Sequence, residues 1–164
     1  MEENYSNKSK NLIDFPDNKG EKSAEQLLQE KFDKERKEIN GRITELSKQI
    51  KNVNGLENLQ VDVYSYRQQL VEKYHYLISI LSRVNMAVRK KKKKKLLFYD
   101  NNYQIKLDKK DRLDFIMIDL EKEYIKKQEI ENHIKFISES MKTVDNIIFG
   151  IKHRISIEEY KRIT

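Results

Sequence analysis

Arg89 and the six lysines that follow it, Lys90, Lys91, Lys92, Lys93, Lys94 and Lys95, form an unbroken run of seven cations. Their plainest chemistry is neutralisation of a phosphate chain. The protein carries 34 Lys+Arg against 27 Asp+Glu, a difference of +7, and the run alone holds seven, so the rest of the chain is balanced. A charge concentrated in this way sets a strong local field where a polyanion can dock. Wound into a helix, the run repels itself: Arg89/Lys93, Lys90/Lys94 and Lys91/Lys95 are like-charged neighbours at i,i+4. A polyphosphate relieves that repulsion and releases counterions. Neutralising about five to seven phosphates makes log K fall with log salt at a slope of roughly −3.5 to −5 on a single strand.

Leu96-Leu97-Phe98-Tyr99 follow the lysines directly, with Tyr103 close by. Aromatic rings beside a cationic track suit single strands, whose unstacked bases gain ~1–3 kcal/mol each by lying on them. Lysine has no bidentate fork, so reading of base sequence is not expected. The same run also suits a solvated linker, a nuclear localisation signal or a patch for acidic lipid, and Phe98 and Tyr99 also suit a core.

Other chemistry finds little support, and no enzyme is expected. The histidines are His75, His133 and His153, and Glu72 precedes His75 by three residues. That spacing occurs in di-iron bundles, which need a second copy and further inward glutamates; the second copy is missing. Without a Gly-rich phosphate loop ending in Lys-Ser/Thr, ATP hydrolysis is unsupported. Acidic pairs such as Asp119/Glu123 read as solvated helix faces supporting neighbouring lysines. Cysteine is absent, which excludes disulfides and thiolate metal sites and fits a cytoplasmic setting. No cofactor is expected. No apolar run approaches the ~20 residues of a membrane span, and the start of the chain, with Glu2 and Glu3, does not read as a signal peptide.

The elements that must position the cationic run are helices. Apolar and charged residues each make up 37% of the 164 residues, and there are only one proline and four glycines. Such chains are disordered or built of long thin helices. Residues 1–22 are polar, contain Pro16 and Gly20, and read as a flexible tail. Ser23 with Gln26 makes a capping-box pattern, predicting a helix to about Asn52. Its apolar positions are Phe32, Ile39, Ile43, Leu46, Ile50 and Val53, with a 3.5-residue repeat from Ile39. Asn54-Gly55 breaks it.

A second helix is predicted from near Asn58 into the cationic run, with Leu70, Tyr74, Leu77, Leu81, Val84 and Val88 as its seam. Tyr76, Ile78 and Ile80 widen that stripe and predict more than one neighbour. Asp100, Asn101 and Asn102 read as a turn, and Tyr103–Leu107 as a short extended piece. Asp108 is expected to cap a third helix running unbroken from about 109 to 154, roughly 70 Å long. Ile130, Ile134, Ile137, Met141, Val144, Ile148, Ile151 and Ile155 keep a 4-3 spacing; Leu113, Ile116 and Leu120 continue the phase backwards, with Glu123 and Lys127 interrupting it. A helix of that length must bury its isoleucines against helix two, another subunit, or both. The fold expected is all-α: an elongated, self-associating helical hairpin, with 23–55 as a coiled-coil-like helix ahead of a 58–164 domain.

The order of several short elements resembles the phage recombination-mediator UvsY family over residues 62–162. Tyr64-Ser65-Tyr66 leads an aromatic-rich helix. Lys93-Lys94-Lys95-Leu96-Leu97-Phe98-Tyr99 matches a basic stretch closing on paired aromatics, with Lys95 where the family has arginine and Phe98 where it has tyrosine. The acidic stretch Asp114–Asp119, the element Ile151-Lys152-His153-Arg154 and a terminal piece from Ile155 to Tyr160 follow in order.

The resemblance implies a non-enzymatic, ring-like homo-oligomer in the cytoplasm of a bacterial host. It would bind single-stranded DNA and help load a RecA-like recombinase onto DNA covered by single-strand-binding protein. By position, Lys93 and Lys95 would contact phosphates beside Phe98 and Tyr99. The C-terminal helix, with Ile134, Ile137, Met141, Val144, Ile148 and Ile151, would build the subunit interface. The alternative reading is a structural or adaptor coiled-coil protein with a basic linker.

Overall fold

Ser23 starts the first helix, α1 (Ala24–Gln49), through a complete capping box. Its hydroxyl accepts from the Gln26 N–H at 3.3 Å, and Gln26 Oε1 accepts from the Ser23 N–H at 3.0 Å. The computed structural model describes residues 23–101 and 108–163. The tail expected over 1–22, Asn102 and the extended piece Tyr103–Leu107 lie outside the described residues.

α1 ends ahead of a single 3-10 turn, Val53–Gly55, where Asn54-Gly55 predicts the break. α2 (Leu56–Asn101) follows at once and is 46 residues long, about 69 Å at the helical rise. It starts two residues earlier than expected, because Leu56, Leu59 and Val63 are buried and anchor its first turns. It also continues through Asp100 and Asn101, which read as a turn from sequence. An ion pair between Asp100 and Arg112 ties that end to the next helix.

The expected unbroken third helix is two helices, α3 (Lys109–Asp119) and α4 (Glu121–Ile163). Asp108 caps α3 as predicted, its carboxylate accepting from the Asp111 N–H at 2.7 Å. The break is one residue wide: Leu120 sits at φ −109°, ψ 14°, and its N–H still reaches the Ile116 carbonyl at 3.1 Å. Ile116 and Leu120 are both buried, as is Ile130 further on. Glu123 and Lys127 interrupt the apolar phase between them. The elbow precedes those two polar positions, so apolar residues on both sides of the interruption stay buried.

The chain rises along α1, descends along α2 and rises again through α3 and α4. α2 and α4 form the hairpin, and α1 lies along α4 in the same direction. One apolar core joins all three: Phe32, Ile39 and Leu46 from α1, Leu59, Val63, Leu70 and Leu77 from α2, and Ile130 to Ile151 from α4. The fold is all-α, and the helix of 23–55 shares this core with α2 and α4. Tyr76 and Ile78, expected to widen the buried stripe of α2, are exposed; Ile80 alone of the three packs against the core.

The six residues assigned to a subunit seam lie inside this one chain. Ile134, Ile137, Val144, Ile148 and Ile151 are buried, and Met141 packs against the core at its edge. The need of α4 for partners is met by α1 and α2. No helix among the described residues is long and apolar enough to cross a membrane.

Candidate nucleic-acid interface

The cationic run is helical from end to end and occupies the last third of α2. Its position follows from where α1 begins. Ala24 and Glu25, at the start of α1, line a cavity of about 330 Å³ with Val84, Ala87, Val88 and Lys91 of α2 and Lys122, Glu123 and Lys126 of α4. Past Lys91, α3 meets α2 through Lys95 with Asp119 and Tyr99 with Phe115, while Arg89, Lys90, Lys93 and Lys94 stay exposed. The remaining faces of the run are therefore open.

Helical geometry sorts the seven cations. Val88 is buried, and Lys91 and Lys95, three and seven residues on, share its side of the helix, with Lys91 still exposed and Lys95 half-buried. Both meet carboxylates from across the hairpin: Lys95 Nζ lies 2.9 Å from Asp119, the last residue of α3, and Lys91 pairs with Glu123 in the first turn of α4. Arg89, Lys90, Lys93 and Lys94 are exposed on the opposite side, and the half-buried Lys92, four residues after Val88, lies on the Val88 side. None of these five has a carboxylate within ion-pair distance among the described residues.

The two carboxylates hold their charge firmly. Asp119 is kept below the ordinary aspartate range by its hydrogen bond from Lys95, and next by one from the Tyr99 hydroxyl at 2.8 Å. Glu123 is kept below the glutamate range mainly by Lys91. Asp119 and Glu123, expected as a solvated face serving lysines of their own helix, cross to α2 instead. They supply the counter-anions for Lys91 and Lys95, one of the three repelling i,i+4 pairs.

Phe98 and Tyr99 have different surroundings. Tyr99 is half-buried: its hydroxyl is engaged by Asp119, and its ring stacks on Phe115 of α3 at 6.0 Å. Phe98 meets Tyr99 edge-on at 5.4 Å and keeps 47% of its surface exposed. It stands one helical turn beyond Lys94 and Lys95, at the border between the outward cations and the carboxylate-paired ones. Met86 and Leu97, both exposed, lie one turn before Lys90 and one turn after Lys93. The outward face thus reads as a strip of cations with apolar side chains at both ends. Phe115, Asp119 and Glu123 belong to this region, and their link to α2 had no signal in the sequence, because each reaches α2 across the hairpin.

The histidines are dispersed. His75 is exposed beside Tyr74, and His153 stacks on the exposed Phe149 at 6.5 Å. His133 is wholly buried between α1 and α4, with Nε2 2.7 Å from Glu35 and its ring stacked on Phe32 at 4.1 Å. No group of three His, Cys, Asp or Glu among the described residues is placed to hold a metal ion.

Comparison with known proteins finds no matching family model, no matching curated protein and no matching solved structure.

Proposed function

We propose that this protein binds single-stranded DNA along the outward face of the α2 C-terminal third and acts as a recombination mediator, helping a RecA-like recombinase displace single-strand-binding protein. The observation that carries the binding step is the side-by-side display of Arg89, Lys90, Lys93 and Lys94 on an exposed helix face, with Phe98 one turn beyond Lys94. Four phosphates on this strip give a salt slope of about −3 on a single strand, shallower than the range expected for the whole run. The exposed Phe98 ring offers a base a stacking surface, which a duplex has no unstacked base to use. The mediator role is what the resemblance to the UvsY family adds.

The alternative, an adaptor with a basic linker, is less well served by a run that is continuous helix rather than a connecting segment. Self-association belongs to the proposal too. With the isoleucine ladder of α4 buried, it uses other surfaces, and Val61, Phe149, Tyr160 and Ile163 are exposed apolar residues on α2 and α4 at the end of the hairpin away from the lysines.

Fluorescence anisotropy with labelled oligo-dT and a matched duplex across a salt series tests the binding step. Tighter, salt-sensitive binding of the single strand supports it; equal or absent binding refutes it. Recombinase loading onto coated single strands, with and without the protein, tests the mediator role.

A further inference from the structure

We propose that Asp119 and Glu123 are positioning residues that set the footprint of the strand: they act as built-in substitutes for phosphate on Lys95 and Lys91, confining the strand to Arg89, Lys90, Lys93 and Lys94. This inference rests on the reading of α2 as a single-strand-binding helix.

Lys91 and Lys95 belong to the run by sequence but are saturated by geometry. Lys95 Nζ is 2.9 Å from the Asp119 carboxylate, and Lys91 is paired with Glu123. The two acids come from either side of the Leu120 elbow, Asp119 ending α3 and Glu123 in the first turn of α4. Four residues apart on the antiparallel α3–α4 segment, they match two lysines spaced one helical turn apart on α2. Tyr99 fixes the first of them, its hydroxyl bonded to Asp119 and its ring stacked on Phe115. A phosphate approaching this side meets two anions within the Debye length of ~8 Å at physiological salt; one approaching the far side meets cations alone. The acids thereby choose the face as well as the number of charges used. A run of seven cations on an isolated helix would have no preferred side.

The test is a salt titration of oligo-dT binding by the full chain, comparing the wild type with the double variant Asp119→Asn/Glu123→Gln. Both substitutions are near-isosteric and keep an acceptor for the Tyr99 hydroxyl and for Lys91. Freeing two lysines for phosphate should steepen the slope of log K against log salt by about 1.4 and tighten binding several-fold at low salt. Lys91→Gln/Lys95→Gln in the wild-type background should leave the slope unchanged, and in the acid-free background should remove the gain. Glu123→Gln alone leaves the Tyr99–Asp119 contact in place and should give about half the steepening, which covers loss of helicity in the double variant. Unchanged slopes in a wild type and variants that bind oligo-dT would overturn the inference while leaving the binding helix intact. Absence of wild-type binding at low salt would overturn the functional reading itself.

Discussion

His133 of α4 and Glu35 of α1 meet at 2.7 Å, Nε2 to Oε2, with the imidazole wholly buried. Glu35 also accepts from Lys73 of α2, so one carboxylate joins all three long helices. The ring lies between Phe32 and Phe136, and its Nδ1 has no hydrogen-bond partner among the described residues. Neutral imidazole tolerates this, with Nε2–H donating to Glu35. A protonated ring would bury a second N–H with no acceptor.

Burial is the main cause that pushes His133 below its ordinary value of 6.5; Arg36 and Lys73 add to it, and Glu35 opposes. Burial raises Glu35, but hydrogen bonds from Lys73 and His133 outweigh it and hold the group below its ordinary 4.5. Both folded values are depressed, so in each case the unfolded chain binds the proton first as pH falls. The His133 contribution is complete above about pH 6.5 and is lost as pH drops through the folded value; that of Glu35 is lost at more acid pH. The melting temperature should therefore fall between about pH 7.5 and pH 5.5, and His133→Gln should flatten that decline. A wild-type Tm independent of pH over this range would rule out the link.

Gly41 stands in the middle of α1, exposed, with negative φ and, among the described residues, nothing within 4 Å of where a Cβ would sit. Its cost is helix propensity alone. Gly41→Ala should stabilise the protein by roughly 0.5–1 kcal/mol, read as a raised urea midpoint at constant m. A lower midpoint would show that α1 is not helical at this point in solution.

Ile137 and Val144 are fully buried between α1, α2 and α4. Lysine at either position places a charge in that core without a counter-ion. Helicity and Tm should both collapse, and Ile137→Ala should cost about 2–5 kcal/mol. Circular dichroism with light scattering separates this from a subunit seam, where the same variants would stay helical and merely dissociate.

Phe149 is 72% exposed, with Tyr160 and Ile163 further along α4. Phe149→Lys should leave stability within about 0.5 kcal/mol of wild type and lower the average mass of any assembly. An unchanged assembly would place self-association elsewhere.

The start of α1, its break at Asn54-Gly55 and the cap at Asp108 were legible because each depends on neighbours within a few residues. Phe32, Ile39 and Leu46 were legible through their spacing. What covers the isoleucine ladder was not: a 4-3 repeat states that one face needs a partner without saying whether α1, α2 or another copy supplies it. The elbow at Leu120 was hidden for a related reason. Leu120 is an ordinary helix former, and the break lies between the buried Ile116 and Ile130, next to the interruption at Glu123 and Lys127, with no glycine or proline to announce it. In the candidate interface the run itself was plain, whereas its division into inward and outward cations depends on Asp119 and Glu123, which lie 24 and 32 residues from their lysines.

The central claim, that a single strand uses the outward face of α2, is tested most directly by one comparison of oligo-dT affinities in the same salt. Lys90→Gln/Lys93→Gln should weaken binding by about tenfold or more and make the salt slope shallower by about 1.4, with helicity retained. Lys91→Gln/Lys95→Gln removes the same charge from lysines already paired with carboxylates; it leaves Asp119 and Glu123 uncompensated and should weaken binding clearly less than the outward pair, with the salt slope unchanged. Equal losses from the two pairs, or a larger loss from the inward pair, would contradict the account.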